Sequence, residues 1–153
     1  MKSAFRHLQR QCVLKALFAK DQSIEGVYSN YIDYAIEEFG QDLIEVEFAK
    51  DLYQRSLESE SYAFELIAEF APNWPVDKLP PIDRNILLIG ITELTTESQV
   101  PHLVAINEAV ELAKEFGDEN SSKFINAVLS NIAEKKLNLE LKNKDESAKI
   151  SSK

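Results

Sequence analysis

The chain is short of nearly every residue that breaks a helix, staples a loop or anchors a cofactor. A single cysteine, Cys12, rules out an internal disulfide framework and points to a reducing compartment. The four glycines, Gly26, Gly40, Gly90 and Gly117, are scattered, so there is no glycine-rich loop to cradle phosphate. Two histidines, His7 and His102, with one cysteine do not make a common zinc set. No Glu-x-x-His pair is present to build a di-iron bundle, and no Gly-x-Ser-x-Gly elbow to carry a nucleophile. No stretch approaches the roughly 20 apolar residues that span a bilayer. No metal, no cofactor and no membrane is therefore expected. The chain does not read as an enzyme, and its expected place is the cytoplasm.

Four of the five prolines crowd between positions 72 and 81, which leaves the remainder free to be helical. Strand-like alternation of useful length is absent. An all-α domain of about seven helices is the reading, and 153 residues suit one domain burying roughly 70% of its unfolded surface. Apolar residues recur at helical spacing over 3–20, 24–39, 43–57 and 62–70, with a weak break at 58–61. Gly40 should stop the second of these helices. Interior proline costs about 3 kcal/mol, so 71–81 cannot be one helix; Trp74 within it reads as a plug over the core. A helix opening at Pro81 is apolar nearly all round through Leu94, which belongs in the centre of a bundle. Ile86 and Ile89 should be inaccessible there, and Gly90 should mark the close approach of another helix. Residues 142–153 are polar and read as a disordered tail.

Charge is polarised. Residues 1–20 carry Lys2, Arg6, Arg10, Lys15 and Lys20 and no acid, whereas the other 133 carry twelve basic and twenty-six acidic side chains. Such an end can hold a polyanion while the remainder repels nonspecific nucleic acid. The plain alternative is a solvated helix face. A basic, amphipathic, acid-free start is also how a mitochondrial transit peptide looks. This one is rich in core-type residues and not enriched in serine, so it is read as the first helix of the fold. Lys2, Arg6 and Arg10 are spaced four apart and should form one ridge, which Val13 and Leu17 replace further along the same side. Glu108, Glu111 and Glu115 share a helix face and read as a solvated strip.

The most informative segment runs from 103 to 129. Val104, Ile106, Ala109, Val110, Leu112, Ala113 and Phe116 mark a helix, Gly117 sits where a left-handed C-cap is wanted, and a polar hinge over 118–122 leads into a last helix ending near Lys136. The residues Asn107-Glu108-Ala109 and Lys123-Phe124-Ile125-Asn126 resemble the C-terminal half of the NusB family of bacterial transcription antitermination factors. Arg6-x-x-x-Arg10-x-Cys12-Val13-Leu14-x-Ala16-Leu17-Phe18 resembles that family's basic first helix. Trp74, Pro81-Ile82-Asp83-Arg84-x-Ile86-Leu87 and Ile91-Thr92-Glu93-Leu94 follow in the right order, as does Val100-Pro101.

This resemblance, which covers 6 to about 132, implies two small helical bundles, the first three helices and the last four, within one domain over 1–141. It implies a binding function: boxA-type single-stranded RNA held together with NusE, a ribosomal small-subunit protein, and through that complex an indirect association with the elongating RNA polymerase on ribosomal RNA operons. The alternative is a protein-docking scaffold of the same fold with weak or no autonomous RNA binding. An RNA-modifying enzyme, since related domains occur fused to RNA methyltransferases, would need a second domain for which the chain has no room. Carried over, Lys2, Arg6, His7 and Arg10 fall in the RNA-binding start, although His7 and Leu8 stand where relatives often carry further arginines. Phe18 is either a family aromatic facing RNA or core. Lys123 and Phe124 resemble RNA-facing residues, with Phe124 either stacking on a base or buried. Asp83 matches an acidic position that holds NusE, or else caps its helix. Lys2, Arg6, Arg10 and Lys123 should converge on one patch.

Overall fold

In a computed structural model the chain is all-helical among the described residues, which are 2–22, 30–41, 43, 45–96 and 100–139. The first part of the expected helix over 24–39, the side chain of Lys2 and the tail over 142–153 lie outside them. Six α-helices are present: α1 Lys2–Asp21, α2 Tyr31–Phe39, α3 Glu47–Phe70, α4 Pro81–Thr95, α5 His102–Phe116 and α6 Ser121–Asn131. A 3-10 turn at Val76–Lys78 precedes α4, and α6 continues into a π-helical turn, Ile132–Lys136. No helix among these residues is long and apolar enough to cross a membrane.

The count is six and not seven because 58–61 does not break. The tetrad Glu58-Ser59-Glu60-Ser61 contains neither glycine nor proline, so the backbone has no reason to stop. The buried stripe Ala49, Leu52, Tyr53, Ser56, Ala63, Leu66 and Ile67 keeps helical period straight through it. At 24 residues α3 is about 36 Å long. The boundary expected between two bundles falls inside this helix.

α4 is the central element. It packs against α1, α3, α5 and α6, and its residues from Asn85 to Leu94 are all buried, with Ile86 and Ile89 fully inaccessible. Pro81 opens it at a position where the missing N–H costs nothing. A Cβ on Gly90 would lie 2.7 Å from Cδ1 of Leu129 on α6, so the glycine does admit a close helix crossing. Gly90→Ala should therefore destabilise by about 1 kcal/mol, overpacking outweighing the gain in helix propensity. A denaturation midpoint at or above the parent's would refute this.

Gly117 differs from expectation. Its φ is −92°, an ordinary extended value and not a left-handed cap. Glycine is needed there because a Cβ would come within 2.6 Å of the Ser121 Cβ, where the chain folds back to start α6. α1 is also buried over a wider band than one stripe, because three helices surround it. Cys12, Val13, Leu14, Ala16 and Leu17 are all inside, while Phe5 is exposed. Trp74 is no plug. The residue is 41% exposed, its Nε1–H donating to the Lys78 carbonyl at 3.2 Å.

Candidate functional site

The first turns of α1 are tied to three different helices within four residues. Gln9 is buried, and its Oε1 accepts from the backbone N–H of Ala49 at 2.9 Å. This satisfies one of the open N–H groups at the start of α3, which Val46 cannot cap. Arg10 is also buried, and pairs with Glu93 of α4 through two bonds, Nε to Oε2 at 3.0 Å and Nη2 to Oε1 at 2.8 Å. A second carboxylate, Glu108 of α5, lies 3.8 Å from its Nη1. His7 bridges two acids of α5, Nδ1 to Glu108 Oε2 at 2.6 Å and Nε2 to Glu115 Oε1 at 2.5 Å. Gln11 donates to the other oxygen of Glu115 at 2.7 Å.

The basic ridge thus exists only in part. Arg6 is half-exposed, with its guanidinium 5.0 Å from the centroid of the Phe48 ring. Arg10 sits 4.9 Å from the same ring but faces the core. The reason is the one visible in the sequence: the face that carries Arg6 and Arg10 continues into Val13 and Leu17, and those residues are buried. The expected solvated strip holds only in part: Glu111, paired with Lys114 at 3.3 Å, and Glu115 are exposed, but Glu115 is engaged by His7 and Gln11, and Glu108 is half-buried against His7.

Burial alone would pull the His7 imidazole down. The hydrogen bonds to Glu108 and Glu115 and their charges together outweigh it, so the pKa lies above the usual 6.5.

The remaining candidates lie elsewhere. Phe18 is half-buried beside a groove of about 350 Å3 between α1 and α2, with Tyr31, Tyr34, Phe39 and Phe116. Lys15 crosses it with its ammonium 3.7 Å from the Phe39 ring centroid. Lys123 is exposed; Phe124 is half-buried with its ring 5.4 Å from that of Trp74.

These sets do not converge. Asp21, at the end of α1, accepts from Arg84 at 3.0 Å and Asn85 at 2.9 Å, both at the start of α4. Asp83, in the same turn, accepts from Ser121 at 2.7 Å, at the start of α6. α6 therefore opens beside the far end of α1, about 22 Å along the helix from Arg6. Lys123 cannot share a compact patch with Arg6.

Asp83 is buried, and burial raises its carboxyl above the usual 3.8 despite the bond from Ser121, with Asp118 adding to the rise. Ser121 in turn accepts from the Asp118 N–H at 3.0 Å, so the three residues lock the turn before α6 to the start of α4. Asp83 thus acts as a cap and tie within the fold, and its own carboxylate is not open to a partner.

The family model described as the NusB family matches residues 7–134. The chain belongs to the NusB family. It is 40% identical over 128 residues to the transcription antitermination protein NusB of Dehalococcoides mccartyi strain CBDB1, covering 84% of this chain and 89% of that one. It is 37% identical over 127 residues to NusB of Bacillus subtilis strain 168, covering 83% and 93%. Among solved structures, T. maritima NusB matches with a TM-score of 0.71 and 31% identity over 85% of this chain and 91% of that one. A crystal structure of the antitermination factors NusB and NusE in complex with double-stranded RNA matches with a TM-score of 0.71 and 26% identity, covering 84% and 96%.

Sequence reading missed the partners of the NusB first helix: Glu93, Glu108, Glu115 and Phe48. Only Glu93 announced itself. It is an acid in the interior of a helix without a continuous polar face, and a buried carboxylate needs a cation.

Proposed function

We propose that this NusB-family protein is a transcription antitermination factor that binds boxA-type single-stranded RNA together with NusE and so joins the elongating RNA polymerase. Its function is binding and not catalysis, and its place is the cytoplasm. The observation that carries the reading is the family match over 7–134, supported by NusB and NusE solved together on RNA in a relative of the same fold.

RNA phosphates meet the start of α1 through Arg6, with Lys2 beside it in sequence. Arg10 and His7 serve that surface from behind, as parts of its framework. Lys123 and Phe124 form a separate contact region at the other end of α1, and Phe18 borders the groove between α1 and α2. NusE docks on the half made by α4–α6, near the start of α4. Asp83 shapes that surface from within and does not itself touch the partner.

With Arg10 withdrawn, about three phosphate contacts remain, and log affinity should fall with log salt at a slope of roughly −2. Arg6→Glu should weaken boxA binding and flatten that slope by about 0.7, while NusE binding and thermal stability stay near the parent values. Gel shifts across salt, with and without NusE, measure this. Equal affinity of variant and parent at low salt would remove Arg6 from the RNA site.

The scaffold reading has one observation in its favour: two of the cations expected to meet RNA, His7 and Arg10, are already held by carboxylates. It predicts no salt-dependent RNA affinity in the absence of NusE.

A further inference from the structure

The histidine at position 7 is engaged at both ring nitrogens. Its partners, Glu108 Oε2 and Glu115 Oε1, are both carboxylate oxygens, at 2.6 and 2.5 Å. A neutral imidazole has one N–H and one lone pair. It would satisfy one carboxylate and turn its lone pair on the other, which at this distance is repulsive. With both partners as carboxylates, the imidazolium and its two N–H donors fit the arrangement. The bridge joins α1 to α5 next to Arg6, the half-exposed cation of the same helix turn.

Among the described side chains, the charged groups around this bridge can be counted. On α1 they are Arg6 and Arg10. On α5 they are Glu108 and Glu115, with Glu111 and Lys114 paired to each other and His102 at the helix start. On α4 the group is Glu93, taken up by Arg10. α3 contributes the uncharged Phe48 ring. The cluster of His7, Arg10, Glu93, Glu108 and Glu115 carries a net charge of −1 when the imidazole is protonated and −2 when it is not. That second negative charge would stand directly behind the surface that receives phosphate.

We propose that His7 is a proton-linked positioning residue: as an imidazolium it pins the start of α1 to α5 and masks Glu108 and Glu115, so that RNA binding at Arg6 is coupled to proton binding at His7. The inference rests on the RNA reading given above and adds its regulation by pH. Linkage makes the coupling reciprocal. If loss of the proton weakens RNA binding, RNA must hold the proton more tightly by the same factor. For one charge at this range through a partly solvated interface, that factor is about three- to tenfold.

The sign is fixed by the direction of the shift. His7 titrates above 6.5 in the folded protein, so the bridge is complete below about 6.5 and is lost as pH rises through the folded value.

The test uses the full chain and a boxA RNA oligonucleotide at low salt. NMR titration of the two histidines gives the His7 midpoint with and without RNA, His102 serving as an internal reference. RNA affinity is measured from about pH 6 to 9 for the parent, His7→Gln and the Glu108→Gln/Glu115→Gln double variant. The parent is expected to lose three- to tenfold in affinity across the His7 midpoint, and RNA to raise that midpoint by about 0.5 to 1 pH unit. His7→Gln should bind with no such step, at the weaker level the parent reaches at high pH. The double variant should lower the His7 midpoint and also lose the step, yet bind at least as tightly as the parent. RNA binding that is measurable but flat across the His7 titration overturns the coupling and leaves the RNA reading standing. Absence of RNA binding by the parent at every pH, with and without NusE, overturns both. A merely structural role is separated by the midpoint itself, which RNA would then leave unmoved.

Discussion

Arg10→Ala should cost about 3–5 kcal/mol of folding stability, because it leaves the Glu93 carboxylate buried with no cation. Both side chains are inaccessible, and the pair is bidentate. Coulomb attraction in such a place is strong, but so is the cost of drying both charges, and the two nearly cancel. Removing one partner exposes the uncancelled half. Removing both does not: Arg10→Met with Glu93→Leu, which fills the same space with apolar atoms, should restore most of the loss. Chemical denaturation of the single and double variants measures the difference. A single variant within about 1 kcal/mol of the parent would mean that the pair is not sealed from water. The consequence for RNA work is direct. Arg10→Glu places two carboxylates face to face in the core, so lost RNA binding in that variant would report unfolding. Arg6, half-exposed over Phe48, is the residue whose reversal isolates the phosphate contact.

The helices of this protein were legible because most of them are amphipathic or, like α4, apolar all round. Hydrophobic period placed α1 and α4–α6, and Gly40 marked the end of α2 as expected, its N–H bonding to the Ile36 carbonyl at 2.8 Å. The period failed at 58–61 for a physical reason: four polar residues on a helix that is briefly solvated look like a loop to any local rule. The resemblance carried by Asn107-Glu108-Ala109 and Lys123-Phe124-Ile125-Asn126 led to the family.

The site was less legible. The partners of His7 and Arg10 stand between 83 and 108 residues away, and no spacing rule reaches that far. Arg10 nonetheless gave a local warning. Four residues after Arg6 and three before Val13, it lies where a solvent face turns into a core face. Charge there is either snorkelled or paired, and the unexplained Glu93 in the central helix was the other half of the pair. Asp83 gave a weaker version of the same signal, an acid in the first turn of the most apolar helix.

Asp83→Lys should destabilise the fold by about 3–5 kcal/mol, contrary to what a surface contact would give. The substitution replaces an acceptor with a cation that has no partner, inside the first turn of α4, where the helix dipole already presents positive charge. It also removes the Ser121 bond to Asp83 that closes the start of α6, leaving that hydroxyl to donate only through the longer contact to Asp118 at 3.3 Å. Asp83→Asn should behave differently, since an amide oxygen still accepts from Ser121. Its pH dependence follows from the raised carboxyl. A folded-state pKa above the unfolded value means the native state holds the proton more tightly, so this residue's contribution favours folding as pH falls through the folded value toward 3.8 and opposes it above. Asparagine removes that dependence. Relative to the parent, Asp83→Asn should therefore be more stable at pH 7 than it is at pH 4. Denaturation curves of parent and variant at the two pH values test the sign, and a variant that gains relative stability on acidification would show the Asp83 carboxylate to be favoured by its surroundings instead of penalised. NusE binding by Asp83→Asn at pH 7 should match the parent, because the side chain holds α4 to α6 and leaves the partner surface to its neighbours.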